Sequence, residues 1–184
     1  MRNAFIKALT EIAAQDPSIF ILTADLGFGV FETFEAKFAD RYINVGVAEQ
    51  NMMGLATGLA LEGHRVFAYS IGNFPVFRCL EQIRNDICYH RAKVTVVAVG
   101  GGFSYGALGF SHHCTEDIAA MVPLPNLTVY APADAHEVAA ATQACAQSNG
   151  PCYLRLDKTM ANTTAGPTAA FQSGKLGHCA TARP

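Results

Sequence analysis

Long apolar runs are missing from this sequence. No stretch approaches eighteen consecutive apolar residues, which excludes a membrane-spanning helix of ordinary length. Residues 1–11 carry Arg2 and Lys7 but no apolar run of signal length. Excess charge is missing too. A net charge of −2 offers no basic surface for nucleic acid or an anionic membrane, so neither is expected as a partner. None of the six cysteines (Cys79, Cys88, Cys114, Cys145, Cys152, Cys179) stands in a CxxC pair. Their scatter reads as reduced, buried thiols and predicts a cytoplasmic protein. No internal repeat is visible. No GxGxxG follows a strand pattern, and Ser173-Gly174-Lys175 is followed by leucine rather than by the hydroxyl residue of a phosphate loop. What is present is an apolar fraction of 51% over 184 residues, enough to bury one core without disulfide staples.

Apolar periodicity switches repeatedly between helix and strand. Ala4, Phe5, Leu9, Ile12 and Ala13 recur at helical spacing, and Asp16-Pro17 ends that run. Strands are predicted over residues 18–24, 42–45, 65–70, 93–99, 127–131 and 152–156. Helices are predicted over 48–61, 74–89 and 134–147. Strands apolar on both faces and separated by helices indicate an α/β fold, a mostly parallel sheet with helices on both faces. Ligands of such sheets sit beyond the carboxyl ends of the strands. The residues to weigh are therefore Asp25, 46–49, 72–77 and 100–113. After Lys158 the pattern dissolves, so residues 1–158 read as one domain and 159–184 as a tail or linker.

Four features in those segments bear chemistry. Glu49 opens an otherwise small and apolar helix. It reads either as a simple first-turn charge favoured by the helix dipole or as a partly buried carboxylate with a raised pKa that exchanges a proton with a ligand nitrogen. Phe74 and Phe77, three residues apart, read either as core or as a platform for a flat heteroaromatic ring. Gly100-Gly101-Gly102 breaks the chain after a strand, as a tight connection or a ligand contact. His112-His113-Cys114 with Glu116 lacks zinc spacing, and one catalytic or substrate-orienting histidine suits it better.

Read in order, these segments resemble the transketolase family. Arg41-Tyr-Ile-Asn-Val-Gly46-Val-Ala-Glu49-Gln-Asn-Met52 resembles the segment carrying that family's cofactor-activating glutamate, and Asp25-Leu26 its Ala-Asp-Leu motif. Phe74-Pro-Val-Phe77 resembles its Phe-x-x-Phe segment. Gly109-Phe-Ser-His112-His113-Cys-Thr-Glu116 resembles Gly-Pro-Thr-His-Gln-x-x-Glu, and Pro125-Asn126 through Ala131-Pro132-Ala-Asp134-x-x-Glu137 the closing strand and helix. The match runs over about residues 2–158. The resemblance implies the pyrimidine-binding domain of a thiamine-diphosphate enzyme that moves a two-carbon ketol unit from a ketose donor to an aldehyde acceptor. Glu49 would activate the cofactor, Phe74 and Phe77 would flank its pyrimidine, Asp25 would line its site, and His112 would face the substrate. Arg2 and Lys158 would meet the substrate as well.

The family binds the diphosphate through Mg²⁺ at a Gly-Asp-Gly motif, and this sequence contains none. The resemblance therefore implies one piece of a split transketolase, the diphosphate domain and the main Mg²⁺ ligands lying on a separate subunit. A homodimer alone and a heterotetramer with that partner are expected. Inside the substrate channel the sequence departs from the family: Leu108 replaces an aspartate, Gly29 a serine and Gly100 a histidine. Lys158 replaces an arginine, with Arg155 nearby. The related alternatives are a deoxyxylulose-phosphate synthase-like or 2-oxo acid dehydrogenase-like enzyme. A non-catalytic assembly domain is the reading from a different class.

Overall fold

The computed structural model describes residues 1–158. The 159–184 segment read as a tail, with Cys179, lies outside the described residues. Six strands form one sheet: β1 (Ile19–Thr23), β2 (Tyr42–Asn44), β3 (Arg65–Ile71), β4 (Val94–Val99), β5 (Thr128–Tyr130) and β6 (Cys152–Leu156). Their order is β2-β1-β3-β4-β6-β5, and every pairing is parallel. Successive side chains on a strand point to opposite faces, so each strand feeds two cores. Phe67 and Tyr69 of β3, with Val97 and Val99 of β4, pack on one side against Phe5, Leu9, Phe34 and Val138. Val66, Ala68, Val94, Val96 and Ala98 pack on the other, against Met52, Met53, Ile83, Ile87 and Met121. Both faces of the central strands are dry, which explains their lack of polar alternation.

The first face is covered by α1 (Arg2–Ala13), α2 (Glu32–Lys37) and α7 (Ala135–Gln147), the second by α3 (Glu49–Leu61), α4 (Asn73–Phe77) and α6 (Asp117–Met121). Met52 and Met53 on α3 are fully buried; each such side chain contributes about 1.5–3 kcal/mol by leaving water. At the start of α7 the Glu137 N–H donates to Asp134 Oδ1 at 2.9 Å, and Glu137 Oε2 accepts the Ala133 N–H at 2.8 Å. That reciprocal cap gives Asp134-x-x-Glu137 a structural reason to exist. Among the described residues no helix is long and apolar enough to cross a membrane. The five described cysteines are free and buried.

Three helical segments differ from the sequence reading, one of them α6, which periodicity does not predict. Residues 32–37 form a helix that periodicity does not reveal, because Phe34 is its one buried residue. The continuous helix expected over 74–89 is instead α4, a break at Arg78-Cys79, a single turn α5 (Leu80–Gln82) and a π-helical run, Ile83–Cys88. The carbonyl of Arg78 accepts Gln50 Nε2 at 2.8 Å rather than continuing the helical ladder, and Cys79 leaves helical geometry at ψ 14°. Tertiary contacts there override local propensity.

Candidate active site

The chain leaves β1 for the edge strand β2, then returns to β3 on the other side of β1. Such a reversal opens a crevice at the carboxyl ends of the strands. Glu49 follows β2, Phe74 follows β3, His112 follows β4 and Lys158 follows β6. Arg2 reaches the same end because α1 runs back antiparallel to the sheet; next to it, Met1 Sδ accepts the Asp157 N–H at 3.2 Å.

Glu49 is the first residue of α3 and only 4% exposed. A buried carboxylate needs a cation, and Arg78 Nη1 donates to its Oε2 at 3.1 Å. Arg78 thus engages one of the two carboxylate oxygens, Oε2. The Arg78 guanidinium also lies 4.1 Å over the Phe74 ring. Phe74 meets His112 edge-to-face at 5.2 Å, and His112 lies 5.9 Å from Tyr105. Above Tyr105 stands Lys158, its Nζ 4.9 Å from the ring centroid. An unbroken chain of contacts thus links Glu49, Arg78, Phe74, His112, Tyr105 and Lys158. Cys79, beside Glu49, has its thiol pKa pushed up to about 12, first by burial and then by the Glu49 charge.

Arg2 joins through the tyrosines. Burial pushes the Tyr69 and Tyr105 hydroxyls upward in pKa, and the Arg2 cation offsets part of that rise in both. Asp25 and Phe77 stand apart from the chain of contacts. Asp25 is exposed, at φ 53°, and is tied to β2: its N–H donates to Asn44 Oδ1 at 2.9 Å while Asn44 Nδ2 donates to Asp25 Oδ1 at 3.2 Å. Phe77 is 41% exposed at the end of α4.

The loop of residues 103–113 is where the sequence pattern says least. Gly100 adopts φ +88°, and a Cβ there would lie 2.1 Å from the Tyr105 ring. Its glycine is therefore accounted for by a turn and a close-packed ring, the tight-connection reading. A Cβ at Gly101 would lie 2.3 Å from Arg155 Cζ. Arg155, the neighbour of the family's arginine position, is committed inward: its Nε faces Asp117 Oδ2 at 2.9 Å. His113 Nε2 lies 3.0 Å from the Gly106 carbonyl and Glu116 accepts from Thr115, so these side chains do not converge with His112. Among the described residues no three His, Cys, Asp or Glu side chains gather into a metal-sized site. Arg78, Tyr105 and Asp117 escape a reading of the sequence; their partners are 29, 7 and 38 residues away along the chain, and pairings at such separations leave no periodic signal. A groove of about 410 Å³ between α1 and α7, lined by Glu11, Gln15 and Gln143, lies away from these groups.

The family described as "Transketolase, pyrimidine binding domain" matches residues 1–163. The chain is 39% identical over 160 residues to a "Putative transketolase C-terminal section" of Methanocaldococcus jannaschii, covering 86% of this chain and 50% of that protein. It is 33% identical over 158 residues to a subunit of the apulose-4-phosphate transketolase of Phocaeicola vulgatus, covering 85% and 51%. A solved structure, "Split gene transketolase, inactive beta4 tetramer", superposes with a TM-score of 0.83 at 38% identity, over 95% of this chain and 56% of that one. This chain thus spans about half the length of the curated relatives it matches. With a parallel α/β sheet, a buried glutamate heading α3 and a family match over most of its length, the chain belongs to the transketolase family, in which it corresponds to the pyrimidine-binding domain.

Proposed function

We propose that this chain is the pyrimidine-binding part of a split, thiamine-diphosphate-dependent transketolase, acting with a separate diphosphate-binding subunit that carries most of the Mg²⁺ ligands. The observation that carries it is Glu49: a carboxylate 4% exposed, its Oε2 held by Arg78, at the carboxyl end of a parallel sheet. That donor set suits an aminopyrimidine, which offers ring nitrogens to a carboxylate and a flat face to aromatic side chains. When bound, thiamine diphosphate supplies the carbanion chemistry of ketol transfer.

The chain's own residues have distinct tasks in this reading. Glu49 holds a proton at the pyrimidine ring nitrogen, and Arg78 keeps that carboxylate oriented and charge-balanced. Phe74 and Phe77 flank the ring and exclude water. Asp25 borders the cofactor from the β1 side. His112, resting on Phe74, faces the substrate and orients its oxygens. Arg2 and Lys158, gathered around Tyr105, attract the substrate at the outer end of the channel. Substrates are a ketose donor and an aldehyde acceptor, and the cytoplasm is the expected compartment.

Exposed apolar side chains ring the same end: Phe28 follows β1, Val47 follows β2, and Phe103 and Phe110 belong to the loop after β4. Each is more than 70% exposed, which suits a face covered by a partner. The relative whose name reads "inactive beta4 tetramer" supports self-assembly of such chains, in four copies rather than the two expected here. The test is reconstitution. Two-carbon transfer should need this chain, a diphosphate-binding subunit, thiamine diphosphate and Mg²⁺ together, and light scattering should find a homodimer alone and a heterotetramer with the partner. Robust transfer by this chain without a partner overturns the split reading.

A further inference from the structure

Asp117, three residues beyond the bridge that closes the His112 loop, is fully buried (0% exposed). Its Oδ2 accepts the Tyr153 hydroxyl at 2.6 Å and pairs by charge with Arg155 Nε at 2.9 Å without hydrogen-bond geometry, so that Nε and Asp117 Oδ1 both have no hydrogen-bond partner among the described residues. Arg155 reaches onward: Nη2 donates to the Cys114 carbonyl at 3.3 Å. That same carbonyl accepts the Gly102 N–H at 2.6 Å, and the Cys114 N–H returns to the Gly102 carbonyl at 2.9 Å. The two-residue antiparallel bridge so formed clasps both ends of the 103–113 loop.

The surrounding strand ends are shaped around this clasp. A Cβ at Gly101 would strike the Arg155 guanidinium, and one at Gly72 would lie 2.9 Å from Cys114 Sγ. A buried ion pair is in general no better a stabiliser than apolar packing of the same volume, and its directional hold is what apolar packing lacks. Here that hold falls on a carbonyl at the base of the loop that places His112 against Phe74 and Tyr105.

We infer that Asp117 and Arg155 are positioning residues: together they fix the Gly102–Cys114 clasp, and through it the ring of His112, without touching substrate. The assignment rests on His112 facing the substrate, as proposed above. It differs from a general structural role in what it leaves undisturbed, namely Glu49 and its partner Arg78.

The test compares Asp117→Asn with the wild-type full chain by amide hydrogen exchange. Asparagine keeps the shape and an acceptor for Tyr153 but removes the charge that holds Arg155. Amides of residues 102–114 should exchange roughly tenfold faster or more, while β3, β4 and α3 keep their protection. In the reconstituted enzyme, two-carbon transfer should fall about 10–100-fold, as for a displaced reacting group, with proton exchange at cofactor C2 unchanged. Should Asp117→Asn fail to fold, Arg155→Lys carries the test, since it keeps a cation for Asp117 but loses the reach to the Cys114 carbonyl. Unchanged loop protection, or an equal loss of transfer and C2 exchange, overturns the inference. Glu49→Gln in the same assay tells the two readings apart: if it leaves C2 exchange intact the cofactor reading fails, whereas the loop result stands by itself.

Discussion

The two halves of the site are held by different means. Glu49 sits on a 13-residue helix whose inner face carries fully buried Met52, Met53 and Ala56, so the core itself fixes the carboxylate. His112 sits in a loop of two short 3₁₀ turns, Gly106–Leu108 and Phe110–His112, with no fully buried apolar side chain between Phe103 and His113. That loop is anchored at its ends by the Gly102–Cys114 bridge and by Tyr105 packed over Gly100, and along its length by Ser104, which donates to Asp157, and by Asn73, which donates to the Ser111 carbonyl. The contrast teaches that the group proposed to handle the cofactor's proton is rooted in the fold. The group proposed to meet the substrate is held by a few replaceable contacts. A scaffold arranged this way can change substrate without disturbing cofactor activation.

The largest expected effect breaks the first half alone. Glu49→Gln should slow hydrogen–deuterium exchange at cofactor C2 in the assembled enzyme by about 10²–10⁴, the usual worth of general acid–base help, while circular dichroism of the chain stays unchanged. An unaltered exchange rate would return Glu49 to a plain first-turn charge. His112→Ala breaks the second half alone. Its kcat/KM for two-carbon transfer should drop roughly 10²-fold, as for a mispositioned substrate, with C2 exchange preserved. Equal losses in the two assays would mean that the halves are not separable.

Gly100→Ala acts on the anchor instead of the chemistry. An alanine would need the left-handed φ of +88° and would meet the Tyr105 ring, so urea unfolding should report a loss of roughly 1–3 kcal/mol. A neutral result would show that the ring moves freely and that the loop is anchored elsewhere.

The smallest effect reads the halves without mutation. Cys79 lies beside Glu49 and Cys114 closes the loop, and burial is the main cause that pushes each thiol to about 12. A raised thiol pKa leaves only about one molecule in 10⁴ as thiolate at pH 8, so both should resist maleimide until local opening restores ordinary acidity. Labelling then runs through the opened state, where both thiols have ordinary acidity, so a difference in rate measures opening. Cys114 should label several-fold faster than Cys79, and both rates should rise with pH. Labelling of Cys79 first would reverse the comparison.

Much of the fold is legible in the sequence because its central strands are buried on both sides. Runs such as Val94–Val99 have no polar alternation to confuse them, and Gly63 or Gly150-Pro151 punctuates them. The segments that resisted reading are those decided by partners distant along the chain. The 74–89 stretch has helical spacing throughout, yet Gln50 captures the Arg78 carbonyl and the helix breaks there. The helix Glu32–Lys37 is too short for its single buried residue, Phe34, to set a period.

The candidate site divides along the same line. Sequence by itself determined which groups stand after the strands: Glu49, Phe74, His112 and Lys158 each follow a short apolar run, and a parallel α/β sheet collects such positions at one end. Only the tertiary structure decided what those groups touch. Arg78 meets Glu49 across a broken helix, Arg155 turns inward to Asp117, and Lys158 settles over Tyr105. Local pattern fixes where a side chain leaves the backbone, but its partner is set by strand order and by how closely neighbouring backbones approach. Those follow from packing the whole core at once.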